Sequence, residues 1–139
     1  MQPSRIGLAA LLVAALACSQ DRPKLPRMAD ALPNLPLPPR VSFVSRTGGP
    51  DALQLTVRSA NSPESVTNYY RTLLNQGGWK LVNEAKDQEG ATVLYAQQKG
   101  PPLWVRIRPA EDGAGTLVDL TGAVVKPDSA PAQPAKPKS

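Results

Sequence analysis

The residues best suited to contact another molecule lie on one short stretch, residues 103–108 of the 139-residue chain. Apolar residues alternate there with Trp104, Arg106 and Arg108, and alternate side chains of a β-strand point to opposite faces of the sheet. An indole in line with two guanidinium groups can stack on, or clamp, an anionic partner. We therefore predict that Trp104, Arg106 and Arg108 form a partner-binding set on the open face of a sheet.

The same residues also have a structural interpretation. A hairpin that turns near Asp112 and Gly113 places Arg106 opposite Asp119, where the two form an ordinary cross-strand ion pair. Trp104 is then covered by the proline-rich segment that precedes the domain. The sequence leaves both interpretations open.

Catalytic chemistry has few candidate groups in this chain. It contains no histidine and one cysteine, so the commonest general base and the commonest metal ligand are missing. Neither a nucleophile-elbow motif nor a phosphate-binding glycine loop is present. The acidic residues cluster in two predicted turns without calcium-loop spacing, namely Glu84, Asp87, Glu89, Glu111 and Asp112. The sequence predicts a protein with no catalytic residues, no metal and no cofactor.

The positive charge of the chain is concentrated outside its central region. The net charge is +5, but nine basic and eight acidic residues between positions 40 and 123 leave that region at only +1. The excess lies in the flanks, on Arg22, Lys24, Arg27, Lys126, Lys136 and Lys138. Such residues contribute about 1 kcal/mol each beside an anionic membrane, or simply keep the chain soluble. A nucleic-acid partner is not expected.

Hydrophobic periodicity predicts the elements that position these residues. Alternation predicts strands over residues 41–45, 53–58, 79–85, 92–98, 103–108 and 116–123. A helix is predicted from Pro63, with Ser62 as its cap and Gly77 as its stop. The predicted fold is α+β, with one helix packed on a mainly antiparallel sheet in the order β-β-α-β-β-β-β.

Residues 66–79 combine an aromatic and leucine stripe with a closing Gly-Gly-Trp. This segment resembles a helix-to-strand segment of small bacterial envelope lipoproteins. It also resembles, loosely, the helix-grip domains of accessory lipoproteins in outer-membrane β-barrel assembly. A small α+β core needs such a stripe, so we predict that Tyr70, Leu73 and Trp79 belong to the core rather than to a ligand pocket.

The N-terminus has the order of a secretory signal peptide over residues 1–17. Arg5 is followed by the uncharged apolar run 6–17, which is too short for a spanning helix. The closing sequence Ala-Leu-Ala-Cys, residues 15–18, resembles the lipobox of bacterial lipoproteins, although leucine stands two residues before the cysteine instead of three. The resemblance implies that Cys18 is acylated and becomes the first residue. The alternative is cleavage of Ala-Leu-Ala by an ordinary signal peptidase.

The predicted domain organisation has four parts. A signal peptide (1–17) precedes a lipidated Cys18 with a proline-rich linker (18–39), the α+β domain (40–124) and a disordered Pro/Ala/Lys tail (125–139). An extended polyproline linker over residues 19–39 reaches on the order of 65 Å. Alternatively, the leucines of this linker dock along a groove as an extended ligand, through Leu32, Leu35 and Leu37.

These features predict a lipid-anchored protein of the bacterial cell envelope with a non-catalytic role in partner binding or assembly. Its expected partners are the membrane, through the N-terminal acyl chains, and an envelope protein. The resemblance to bacterial lipoproteins implies, from Ser19 in place of an aspartate after the cysteine, the outer membrane, facing the periplasm, in a cell with two membranes. The alternatives are a structural spacer lipoprotein and a freely secreted periplasmic binding domain. The sequence predicts no oligomeric state.

Overall fold

The computed structural model describes residues 24–125, which form one six-stranded antiparallel sheet with helical structure on one face. The elements are α1 Met28–Ala31, β1 Val41–Gly48, β2 Ala52–Ser59, α2 Pro63–Leu73, β3 Lys80–Lys86, β4 Thr92–Gln97, β5 Leu103–Pro109 and β6 Thr116–Ala123. The α+β class and a helix packed on an antiparallel sheet are confirmed. The order differs from the prediction by α1, a single helical turn within the predicted linker. The predictions for residues 1–17, Cys18 and residues 126–139 lie outside the described residues.

The strands follow the order β1-β2-β6-β5-β4-β3 across the sheet. The last strand, β6, lies between β2 and β5 and joins the first hairpin to the β3-β4-β5 meander. Strands β1 and β3 are consequently the two edges. The β5-β6 register places Arg106 opposite Asp119, as the structural interpretation predicted.

The helix α2 begins at the predicted residue but ends at Leu73, before the predicted stop at Gly77. The Ser62 side chain accepts the backbone N–H of Ser65 at 3.2 Å and caps the first turn. After the helix, the N–H of Trp79 donates to the carbonyl of Gln76 at 3.1 Å. Because this bond keeps Trp79 in the turn, β3 starts one residue later than predicted.

One short helix cannot cover the apolar face of this sheet. A helix of 11 residues is about 16 Å long and about 10 Å wide, whereas six strands span about 24 Å. The helix α2 packs on β5, while α1 packs on β2 and β6. Between them they enclose a core whose largest fully buried apolar side chains are Leu53, Val66, Tyr70, Leu74, Leu94, Leu103, Val105, Val118 and Leu120.

Residues 24–40, which we call the strap, cover the part of the sheet that α2 leaves bare. Ala31 and Leu32 of the strap are buried against β6. The approach is so close that a Cβ on Gly122 would collide with the carbonyl oxygen of Ala31 and with the Leu32 side chain. Glycine at position 122 therefore provides the space in which the strap docks.

Side chains of the domain hold the strap by its carbonyl groups. Prolines have no N–H, so a proline-rich segment presents mainly acceptors, and side-chain donors complement it. Five strap carbonyls accept such bonds: Pro26 from Arg46, Pro33 from Gln98, Pro36 from Tyr70, Leu37 from Tyr69 and Pro39 from Ser59. The bonds from the hydroxyls of Tyr70 and Tyr69 are short, at 2.8 and 2.7 Å.

An extended linker was predicted over residues 18–39. In its described part, residues 24–39, the chain is instead docked on the sheet. The docked alternative describes it better, because Leu32 is buried and Leu35 packs against the core. Leu37 remains 42% exposed. Proline content favours an extended backbone but does not determine whether that backbone packs on the domain. Here it packs on the part of the sheet that α2 does not cover.

We expect Gly122→Ala to loosen the strap, because the added methyl group meets a backbone carbonyl that cannot move without undocking. Overpacking of this kind costs about 1–3 kcal/mol of unfolding free energy. Urea unfolding measures that loss, and faster trypsin cleavage after Arg40 reports release of the strap. Gly49→Ala is the control, because a Cβ at Gly49 meets no atom within 4 Å. Equal urea midpoints for the two variants would contradict the docked strap.

Candidate functional site

The predicted partner-binding set lies on the sheet face opposite α2. Trp104, Arg106 and Arg108 project from that face, and their neighbours on β5 are buried in the core: Leu103, Val105 and Ile107. The alternation predicted from the sequence is thus confirmed. Whether these residues bind a partner stays a prediction.

Trp104 packs on an aromatic neighbour and not on the strap. Its ring lies 4.9 Å from that of Tyr95, between centroids, with an angle of 35° between the planes. The two residues are directly paired across β4 and β5. The strap docks on the other face of the sheet, so the prediction that it covers Trp104 is wrong. The indole remains 39% exposed.

Arg106 is engaged by three carboxylates. Its Nε donates to Asp87 at 2.6 Å and one terminal nitrogen donates to Glu89. The other terminal nitrogen lies 3.8 Å from Asp119. The guanidinium thus ties the β3-β4 turn to the middle of the sheet.

Asp119 is the buried centre of this charged cluster. It accepts the Thr56 hydroxyl at 2.7 Å, and the Nε of Arg108 lies 3.6 Å from its carboxylate. Within the described residues that Nε has no hydrogen-bond partner. Both arginines of the predicted set are therefore paired inside the sheet, and an anionic partner would have to compete with these carboxylates.

Two carboxylates of this face, Asp87 and Asp112, have a pKa lowered by arginine. The hydrogen bond from Arg106 lowers the pKa of Asp87 below its usual value, with burial opposing it and the N–H groups of Ala91 and Glu89 assisting. The hydrogen bond from Arg58 likewise lowers the pKa of Asp112. A general acid needs the opposite shift.

A second candidate site lies on the helical side, between α2 and the strap. It is an open groove of about 550 Å³, which we call the α2 groove. Its apolar and aromatic lining includes Leu35, Leu37, Tyr69, Leu73 and Trp79, and its polar lining includes Asn34 and Gln76. An adjoining hollow of about 370 Å³ continues along α2 and shares Tyr69, Leu73 and Gln76. Small-ligand sites generally occupy about 300–1,000 Å³.

The core prediction for the helix stripe holds only in part. Tyr70 is fully buried, as predicted, and burial raises the pKa of its phenol, which stays protonated and donates to Pro36. Trp79 is half-buried against the core. Leu73 is half-buried, and it lines the groove together with Trp79. The space beneath the strap, by contrast, admits no water molecule.

Sequence reasoning missed the α2 groove because one wall of it is the strap. The available signal was the spacing of Leu32, Leu35 and Leu37, which indicated a docked segment but not the surface on which it docks. A metal site is not formed among residues 24–125, where no cluster of three or more ligating side chains occurs. In the same region no helix has the length and apolar character needed to cross a membrane.

Comparison with protein families matches residues 40–115 to a START domain-like model. The match begins at the end of the strap and covers the two hairpin strands, α2 and the meander up to the start of β6. It includes 76 of the 139 residues, more than half of the chain. The chain belongs to the START domain-like family. No curated protein and no solved structure matches it.

Arg106→Gln tests the charged cluster of this START domain-like chain. The pKa of Asp87 is lowered in the folded state, so its ionised form stabilises the fold. This contribution to the free energy of unfolding is complete above the pKa of an unfolded aspartate, about 3.9, and is lost as the pH falls through the lower pKa of the folded state. We expect the variant to raise the pKa of Asp87 toward that ordinary value. Protonation of Asp87 at low pH should then remove less of the free energy of unfolding than in the wild type. A carboxyl-detected NMR titration measures this.

Asp112 serves as the internal control in the same titration, since Arg58 and not Arg106 holds its pKa down. Its titration curve is expected to stay unchanged. An Asp87 curve that does not move would show that Arg106 is not its main partner.

Proposed function

We propose that the protein is a lipid-anchored, non-catalytic binding domain of the bacterial cell envelope, and that it holds its partner in the α2 groove. The observation that carries the proposal is the groove itself, an open site of about 550 Å³ beside α2 that combines apolar and polar lining residues. Membership of the START domain-like family supports it, because domains of this family are typically ligand-binding.

The lining favours an extended apolar segment of an envelope protein as the partner. Leu37, Leu73 and Trp79 present apolar surface, while Asn34 and Gln76 provide amides for main-chain groups. The Tyr69 hydroxyl already donates to the Leu37 carbonyl and holds the wall in place. A preformed wall lowers the ordering cost of binding.

The electrostatics support a non-catalytic role. Three acidic side chains, Glu84, Asp87 and Asp112, have a pKa lowered by an arginine hydrogen bond. Each is thereby held as a solvated or paired anion, which suits structural ion pairs rather than proton transfer.

The lipid anchor rests on the leader pattern that ends in Cys18. Docking of residues 24–39 also bears on the spacer alternative. With the strap packed, the tether between Cys18 and Lys24, the first described residue, can span at most about 20 Å. So short a tether favours a domain held at the membrane over a spacer, and outer-membrane placement remains part of the proposal.

Cys18→Ser tests the anchor. We expect the wild-type mature chain to start at residue 18, to carry acyl chains by intact mass, and to fractionate with membranes. The variant should lose both the added mass and the membrane association, because the serine hydroxyl does not replace the thiolate nucleophile. Gln20→Ala, two residues away, should retain both. A soluble and unmodified wild-type chain would instead support a freely secreted domain.

In-cell photocrosslinking tests the groove. A photoreactive side chain placed at Leu37 should crosslink one discrete envelope protein, whereas the same side chain at Val82 should not. Val82 is a matched control, because it is 49% exposed against 42% for Leu37 and lies on edge strand β3, outside the groove. Similar crosslinking at both positions, or none at Leu37, would contradict binding in the α2 groove.

A further inference from the structure

Edge strand β1 presents an apolar and basic surface that the core does not use. Phe43 and Val44 are 64% and 50% exposed, and they are the large apolar side chains that this strand leaves in solvent. Arg40 precedes the strand and Arg46 lies within it, while residues 41–48 contain no acidic side chain. We call the surface formed by Arg40, Phe43, Val44 and Arg46 the β1 patch.

The cations around this patch are not neutralised within the domain. Among the ion pairs of the described residues none involves Lys24, Arg40 or Arg46, whereas Arg27 is paired with Asp30. Arg46 instead donates to the Pro26 carbonyl of the strap. The opposite edge strand β3 also carries two cations, Lys80 and Lys86, but unlike β1 it contains a carboxylate, Glu84, which is paired with Arg71.

The start of the strap is attached to this same patch. Through the bond from Arg46, Pro26 is held against β1, eight residues after Cys18. Eight fully extended residues span at most about 29 Å. A lipid attached to Cys18 therefore lies within about 29 Å of Pro26, and the described chain begins on the β1 side of the domain.

We propose that the β1 patch docks on the anionic headgroup surface of the membrane that holds Cys18, an inference that rests on the lipid anchor proposed above. Phe43 and Val44 enter the interfacial region, and Lys24, Arg40 and Arg46 contact lipid phosphates. The domain then lies on the membrane with β1 down and β3 facing away. The acyl-anchored segment and the β1 patch then both bind the membrane, on the same side of the domain.

A β-strand of a second copy is the less favourable occupant of this edge. The β1-β2 register shifts between Phe43 and Ser45, so Val44 is part of a bulge that interrupts the ladder. Bulges at sheet edges hinder strand addition. The exposed side chains of the β1 patch are instead suited to a lipid interface.

The chain offers two matched positions for a test. Val44 and Val82 are both valines, both lie at an irregularity of an edge strand, and both are half-exposed. They lie on opposite edges, five strand spacings or about 24 Å apart. In the acylated full chain, Val44→Cys or Val82→Cys introduces the only free thiol, to which a polarity-sensitive fluorophore is attached.

The labelled proteins are reconstituted into vesicles of phosphatidylethanolamine and phosphatidylglycerol, with and without nitroxide-labelled lipid. We expect blue-shifted emission and at least threefold stronger quenching at position 44 than at position 82. Vesicles of phosphatidylcholine alone should reduce the difference, because they lack the anionic headgroups. Phe43→Cys provides a second reporter on the patch if the Val44 variant folds poorly.

Equal quenching at the two positions, or stronger quenching at position 82, overturns the docking proposal. Intact mass and vesicle flotation of the same samples separate this failure from failure of the anchor. An acylated protein that floats with vesicles while position 44 stays in water disproves only the docked orientation. A protein without acyl chains that does not float disproves the anchor and the docking together.

Discussion

The apolar face of the six-stranded sheet is larger than α2 can cover, and the rest of the structure depends on how the remainder is closed. The strap covers the rest of this face, and both its backbone and its side chains make the contacts. Gly122 removes the side chain that would block the approach, and the tyrosines of α2 bond the strap carbonyls. Helix, strap and sheet are thus mutually dependent, because each covers apolar surface that the others expose.

This closure has consequences at three places on the molecule. The strap forms one wall of the α2 groove, so the proposed binding site exists only while the strap is docked. It leaves only residues 19–23 between Cys18 and Lys24, so a lipid anchor at Cys18, as proposed, would hold the domain near the membrane. It also brings its own start to β1, through the bond between Arg46 and Pro26. The proposed site, tether and orientation therefore share one structural cause.

The sequence predicted what depends on local periodicity. The start of α2, the alternation on β5 and the pairing of Arg106 with Asp119 follow from the helix cap, period-two patterns and turn residues, whereas α2 ends at Leu73, before the predicted stop at Gly77. The sequence predicted the docked strap only as an alternative to an extended linker, because the proline content of the strap is the same whether or not a bare sheet face is available. It did not predict the bond between Arg106 and Asp87, since that bond depends on how the β3-β4 turn lies over its neighbour strand.

The most direct test of this account is a measurement of the contact between Leu32 and Gly122 in the full chain in solution. The account predicts strong nuclear Overhauser effects between the Leu32 methyl groups and the Gly122 α-protons, with dispersed shifts throughout residues 31–39. Absence of these effects together with random-coil shifts for residues 24–39 would contradict it. The strap would then be a free linker, and the groove wall, the short tether and the membrane-facing β1 patch would lose their common basis.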